Sequence, residues 1–80
     1  MIKIMLLFVF ITTLLFSAVN VNRANSAQLQ TLNGIGPTKA QEIIKYRKSH
    51  GGFKTVDELV NVKGIGPKTL IKMKYQVTIR

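Results

Sequence analysis

Gly34-Ile35-Gly36-Pro37 and Gly64-Ile65-Gly66-Pro67 are the same tetrapeptide, set thirty residues apart. The offset carries apolar positions with it, pairing Leu29 with Leu59, Leu32 with Val62, Ala40 with Leu70 and Ile43 with Met73. One such tetrapeptide is only a good tight turn between packed helices. Two of them, in register with apolar positions on both sides, are one supersecondary unit used twice.

Each unit reads as two short helices joined at its tetrapeptide. Asn25 or Ser26 can cap a helix that runs to about Leu32. Gly34 breaks it by permitting positive φ. Pro37 suits the first turn of the next helix, with Gly36 at the cap position before it. That helix runs to about Ser49, with Ala40, Ile43, Ile44 and Arg47 along one face, and Gly51-Gly52 ends it. Thr55-Val56-Asp57-Glu58 is a capping box that opens a third helix. Pro67 opens a fourth, which turns Leu70, Met73 and Val77 inward. The predicted class is all-α: four short helices in two hairpins, related by a pseudo-twofold, with no strand signal of useful length. Residues 19–24 and 75–80 carry the weakest pattern.

The hairpins have the chemistry of anion sites. A helix N-terminus leaves backbone N–H groups without internal partners. Thr55 meets this need at the third helix with its side chain. Gly36 and Gly66 have no side chain to offer, so those N–H groups stay open to an outside acceptor. The helix dipole adds about half a positive charge there, and phosphate binds readily at such ends. Gly34, Ile35, Gly36 and Lys39, with Gly64, Ile65, Gly66 and Thr69, are the candidate backbone donors. Thr38 and Thr69 add hydroxyls, and Lys39, Lys63 and Lys68 add charge. Cations normally oppose the dipole at a helix start; here they fit a site that an anion neutralises. Ile35 and Ile65 are expected to insert their side chains between the helices.

Composition agrees. The 80 residues hold twelve Lys and Arg against three Asp and Glu, a net charge of +9, with no Cys and one His. Disulfide scaffolds and cysteine-ligated zinc are excluded. His50 lacks metal-ligating companions, and Asp57 and Glu58 are accounted for by helix capping and first-turn placement. No cofactor, metal site, catalytic centre or small-molecule substrate is expected. Before the repeat, Lys3 is followed by an apolar run from Ile4 to about Val19 and small residues Ser17 and Ala18. About sixteen residues make about 24 Å of helix, short of the roughly 30 Å hydrocarbon core. Positive start, apolar stretch and small residues are the order of a secretory signal peptide. Residues 1–18 are therefore read as a leader helix, with an uncleaved membrane anchor as its alternative, and residues 19–80 as the domain. Cleavage after Ser26 satisfies the small-x-small rule through Ala24 and Ser26, whereas cleavage after Ala18 puts bulky Phe16 at the third position back. Without Lys3 the domain keeps eleven basic and three acidic residues.

These residues resemble the tandem helix-hairpin-helix DNA-binding module of ComEA-type competence proteins. The likeness runs from Val19-Asn20-Val21-Asn22 through Ala24, Leu29 and the first tetrapeptide to Ala40, Ile43, Ile44 and Arg47. It continues through Gly52-Phe53, Leu59 and Val62-Lys63-Gly64-Ile65-Gly66-Pro67-Lys68-Thr69-Leu70. Asn33 and Arg23 depart from the usual pattern, away from the phosphate-binding backbone. Because that module tends to begin at the Val-Asn-x-Asn segment, cleavage just before Val19 is favoured.

The resemblance implies binding of double-stranded DNA without sequence preference, outside the cytoplasm, during DNA uptake in natural transformation. It implies an exported protein, periplasmic or anchored in the inner membrane and facing the periplasm, that hands DNA to inner-membrane uptake machinery. The residues add a minor-groove geometry, with one hairpin on each strand. The chain has no long recognition helix for the major groove. It has no run of exposed aromatics for single strands, and Tyr46, Phe53 and Tyr75 are read as core or rim residues. Two other readings stand beside this one. The same fold can be a scaffold whose basic surface meets an acidic protein or anionic lipid. Helix-hairpin-helix glycosylases supply an enzyme reading, but need a catalytic Asp beyond the hairpin; no carboxylate follows Pro67.

Overall fold

The computed structural model describes residues 18–79. The expected leader helix, with its alternative as an anchor, falls on residues that lie outside this range except for Ala18. Elements follow in the order β1 (Val19–Asn20), α1 (Ser26–Leu29), α2 (Pro37–His50), a 3₁₀ helix (Val56–Asn61), α3 (Pro67–Met73), a second 3₁₀ turn (Lys74–Gln76) and β2 (Val77–Thr78). Among the described residues no helix is long and apolar enough to cross a membrane.

The two tetrapeptides occupy equivalent environments. Residues 31–40 and 61–70 have the same burial class at each of ten successive positions. Leu29, Leu32 and Ile35 are buried in the first unit and Leu59, Val62 and Ile65 in the second, at spacings of three. A spacing of three is the 3₁₀ period, and the backbone adopts it. Leu32 N–H donates to Leu29 C=O (3.1 Å) and Ile35 N–H to Leu32 C=O (3.1 Å). Val62 N–H donates to Leu59 C=O (3.1 Å) and Ile65 N–H to Val62 C=O (3.0 Å). This corrects two sequence expectations. The first helix is α-helical only to Leu29 and reaches the hairpin through 3₁₀ turns. The third is 3₁₀ throughout, which keeps half-buried Val56 in line with Leu59 and Val62.

Capping follows the sequence closely at one end and shifts at the other. Asn25 caps α1, its Oδ1 accepting from Gln28 N–H (2.8 Å) while Gln28 Oε1 accepts from Asn25 N–H (2.9 Å). Thr55 Oγ1 accepts from Glu58 N–H (3.3 Å), as expected. Glu58 reaches one residue further back, accepting from Lys54 N–H (2.9 Å), and also takes the Tyr46 hydroxyl (2.9 Å). The Tyr46 ring stacks with those of His50 and Phe53, at centroid distances of 3.8 and 5.0 Å.

A further correction concerns the ends of the described chain. β1 and β2 pair in parallel, Val19 with Val77 and Asn20 with Thr78, so the all-α class carries a two-residue bridge. Arg47 Nη1 donates to the Val21 and Ala24 carbonyls (2.9 and 2.7 Å). Asn22 exchanges two bonds with Phe53, Oδ1 accepting its N–H (2.6 Å) and Nδ2 donating to its C=O (3.0 Å). The Val-Asn-x-Asn segment is thus held by side chains onto α2 and the loop after it.

Gly34 and Gly64 turn each hairpin with φ of +83° and +92°, and no non-glycine among the described residues has positive φ. Gly34→Ala and Gly64→Ala should each lower stability by about 1–2 kcal/mol, read as a reduced midpoint in urea. Glu58 gives a second prediction. The Lys54 N–H and Tyr46 hydroxyl bonds, with lesser help from Thr55 N–H and the His50 charge, hold its carboxyl below 4.5 despite partial desolvation. A lowered folded value stabilises above the unfolded one and is lost as pH falls through it. Glu58→Gln should therefore melt below the wild type at about pH 6, and the gap should narrow as the pH falls through the lowered carboxyl pKa.

Candidate nucleic-acid interface

The hairpins touch each other. A Cβ built on Gly64 would lie 3.5 Å from Lys39 Cγ, and one on Gly34 would lie 3.4 Å from Thr69 Cγ2. Lys39 and Thr69 are related by the thirty-residue offset, as are Gly64 and Gly34. Each unit therefore lays the third residue of its second helix against the other unit's turning glycine. This reciprocal contact fixes the pseudo-twofold and puts both turns side by side. Lys39 stretches its stem over Gly64 and sets its ammonium 3.4 Å from the Gly34 carbonyl.

The glycines at the two caps are of another kind. Gly36 has φ −97° and ψ −169°, Gly66 has φ −100° and ψ 180°, and neither helix start has a side-chain cap. Any residue can adopt this extended backbone. A Cβ at either position would meet nothing within 4 Å. Neither conformation nor internal packing asks for glycine there, and Asn, Asp, Ser or Thr would cap the helix better. A side chain there would stand in open space beside the N–H groups of the first turn.

The donor set is smaller than the sequence suggests. Ile35 and Ile65 N–H groups are taken by the Leu32 and Val62 carbonyls, so these two residues serve through side chains that are 5% and 3% exposed. This corrects their assignment as open donors. Gly34 and Gly64 are exposed, and Gly36 and Gly66 half-exposed. Thr38, Lys63 and Lys68 are exposed, while Lys39 and Thr69 are half-buried between the hairpins. In α2 and α3 the first carbonyl bonds run from Ala40 N–H to Gly36 and from Leu70 N–H to Gly66 (both 3.0 Å). That leaves Gly36, Thr38 and Lys39 on one side, and Gly66, Lys68 and Thr69 on the other, with N–H groups ahead of the helical ladder. Pro37 and Pro67 have none.

Asn33 has a structural role that the sequence pattern does not disclose. Its N–H donates to Gln76 Oε1 (2.9 Å) and its Nδ2 to Lys72 C=O (3.2 Å) and Tyr75 Oη (3.0 Å). It thereby fastens the end of α3 to the first hairpin. Its departure from the usual pattern is the one signal that marks it. His50 Nδ1 lies 2.9 Å from the Tyr46 carbonyl. No three His, Asp or Glu side chains group to hold a metal ion among the described residues. Phe53 is buried, Tyr46 half-buried and Tyr75 exposed.

Comparison with known proteins agrees with this architecture. A family model for the helix-hairpin-helix motif matches residues 16–78. ComE operon protein 1 of Bacillus subtilis is 42% identical over 62 residues, covering 78% of this chain and 30% of the relative. An uncharacterized protein of Haemophilus influenzae is 40% identical over 60 residues, covering 74% of this chain and 54% of the relative. Endonuclease/exonuclease/phosphatase family domain-containing protein 1 of Homo sapiens is 36% identical over 61 residues, 76% of this chain but 11% of the relative. The chain spans at most about half the length of these relatives. With two turns of one geometry joined by reciprocal contact, and a family match over most of its length, the chain belongs to the helix-hairpin-helix family.

Proposed function

We propose that this chain binds double-stranded DNA through phosphate contacts at both hairpins, without reading base sequence. The observation that carries the reading is the pair of cap glycines, Gly36 and Gly66. Each stands in backbone that any residue could adopt, faces open space and leaves a helix start uncapped. Lysines at positions 39, 63 and 68 surround them in a chain of net charge +9. Two such turns held rigidly side by side suit the two rails of one duplex, one hairpin on each strand across the minor groove. Contacts of this kind set position and carry no base information.

The likeness to ComE operon protein 1 and to ComEA-type competence proteins supports a place in DNA uptake during natural transformation. With the leader reading of residues 1–18, it supports an exported, periplasmic or membrane-anchored receptor that passes DNA to uptake machinery. The chain acts by binding and not by catalysis. Its match to the endonuclease/exonuclease/phosphatase relatives covers 10–12% of those proteins, so the likeness extends to a small portion of each.

Binding of a labelled random-sequence duplex, titrated with salt, tests this. If about four to six phosphates are neutralised, log K should fall against log salt with a slope near −4 to −5. An absence of binding at about 50 mM salt would favour an acidic protein or anionic membrane surface as the partner. Gly36→Asp combined with Gly66→Asp should abolish binding while stability holds or rises, because each new carboxylate caps its own helix and occupies the anion position. Retained affinity in that variant, with the fold intact by circular dichroism, would break the mechanism. Lys39→Ala should weaken all duplex sequences alike and make the slope shallower by about one.

A further inference from the structure

Lys68, Ile71, Lys72 and Tyr75 follow one another at spacings of three, one and three along α3 and the turn after it, which puts them on one helical face. Ile71 is 73% exposed and Tyr75 77% exposed, well beyond the 38% of Val60. This face runs from one hairpin to the other. Lys68 is the second residue of α3, at the start set by the second hairpin. Tyr75 Oη and the Lys72 carbonyl are both bonded by Asn33, the residue before Gly34 of the first hairpin. The Thr69 methyl, one helical turn before Lys72 and Met73, lies against Gly34 itself.

Tyr75 is unusual in being tethered by its hydroxyl while its ring stays in water. Holding an exposed ring costs side-chain freedom, and the isolated domain recovers little of that by burial. The feature does not belong to the repeat. The counterparts of these four residues in α2 are Thr38, Gln41, Glu42 and Lys45, which are polar throughout and include an acid.

We propose that this face of α3 is an additional contact surface for the duplex, flanking the first hairpin. Lys72, with Lys68, meets phosphates, while the Tyr75 ring and Ile71 side chain pack against the deoxyribose edge of the strand held there. The inference rests on the duplex-binding reading above and adds residues to it. The occupant follows from charge and continuity. An apolar pair beside two lysines suits a polyanion whose backbone also exposes apolar sugar edges, and the surplus of positive charge repels a second copy of this chain. The two strands are then gripped unequally, the strand at the first hairpin through apolar contact as well as charge.

The test compares the full chain with Tyr75→Ala, Ile71→Ser, Tyr75→Phe, Lys72→Ala and Lys39→Ala for affinity and salt slope on one random-sequence duplex. Tyr75→Ala and Ile71→Ser should each lower affinity about fivefold, the loss expected for a few tens of square ångströms of apolar contact. Their salt slopes should match the wild type, since no charge is lost. Tyr75→Phe, which keeps the ring and loses the tether, should lose less than Tyr75→Ala. Lys72→Ala should lose affinity and make the slope shallower by about one. Circular dichroism checks the fold; should Tyr75→Ala unfold, Ile71→Ser and Tyr75→Phe decide. Wild-type affinity in the Tyr75 and Ile71 variants, alongside weakened Lys39→Ala, would overturn this surface and leave the hairpin reading standing. No duplex binding by the wild type would overturn both.

Discussion

The i→i+3 hydrogen bonds that run from Leu29 through Leu32 to Ile35, and from Leu59 through Val62 to Ile65, are the constraint on which the rest depends. They hold three apolar side chains in line and end each run by planting an isoleucine in the core. Burying such a side chain contributes about 1.5–3 kcal/mol. Once the isoleucine is fixed, the residue before it must turn the chain with positive φ, and the residue after it is carried outward as the helix cap. The order Gly-Ile-Gly therefore has a division of labour: a conformational glycine, a core anchor, and an accessible glycine. The outward position is accessible because the inward one is buried.

Much of this was legible in the repeat. A fixed offset linking two tetrapeptides and four apolar pairs specifies equivalent environments, and burial agrees residue by residue from 31 to 40 and from 61 to 70. The placement of α2 and α3 behind their prolines was equally plain. What the pattern did not distinguish was helix type. Apolar spacings of three occur on an α-helical face and along a 3₁₀ helix alike, and in the segments before the tetrapeptides the tighter helix won. It keeps Val56, Leu59 and Val62 aligned where a 3.6-residue period would rotate them apart. The same ambiguity concealed the state of the Ile35 and Ile65 N–H groups, which the tighter turns consume.

The segments flanking the repeat were legible only as a pattern without a reason. Asn22, Arg47 and Asn33 act through partners 23 to 43 residues away in sequence, and no local preference announces such bonds. Each is a polar side chain that satisfies backbone groups: Asn22 serves Phe53, Arg47 serves Val21 and Ala24, and Asn33 serves Lys72. Unpaired backbone groups in partly buried segments are costly. Side chains close the ends of the described segment, together with a two-residue bridge between residues 19–20 and 77–78.

The reciprocal packing of Lys39 on Gly64 and of Thr69 on Gly34 bears most on the proposed function. A single uncapped helix start is a weak and salt-sensitive anion site, since its partial charge is screened within about a Debye length. Two such sites on a flexible linker would gain from one another only at a modest effective concentration. Two held at fixed spacing pay the cost of joining once, and the second contact follows the first without further loss of freedom. On the proposed function, rigidity would also select the partner, because only an acceptor with phosphates at matching separation could engage both turns. The contact between the turns thus does for specificity of shape what no side chain in either hairpin does for specificity of sequence. On that reading it would give a polyanion with two regular rails an advantage over an irregular one of equal charge.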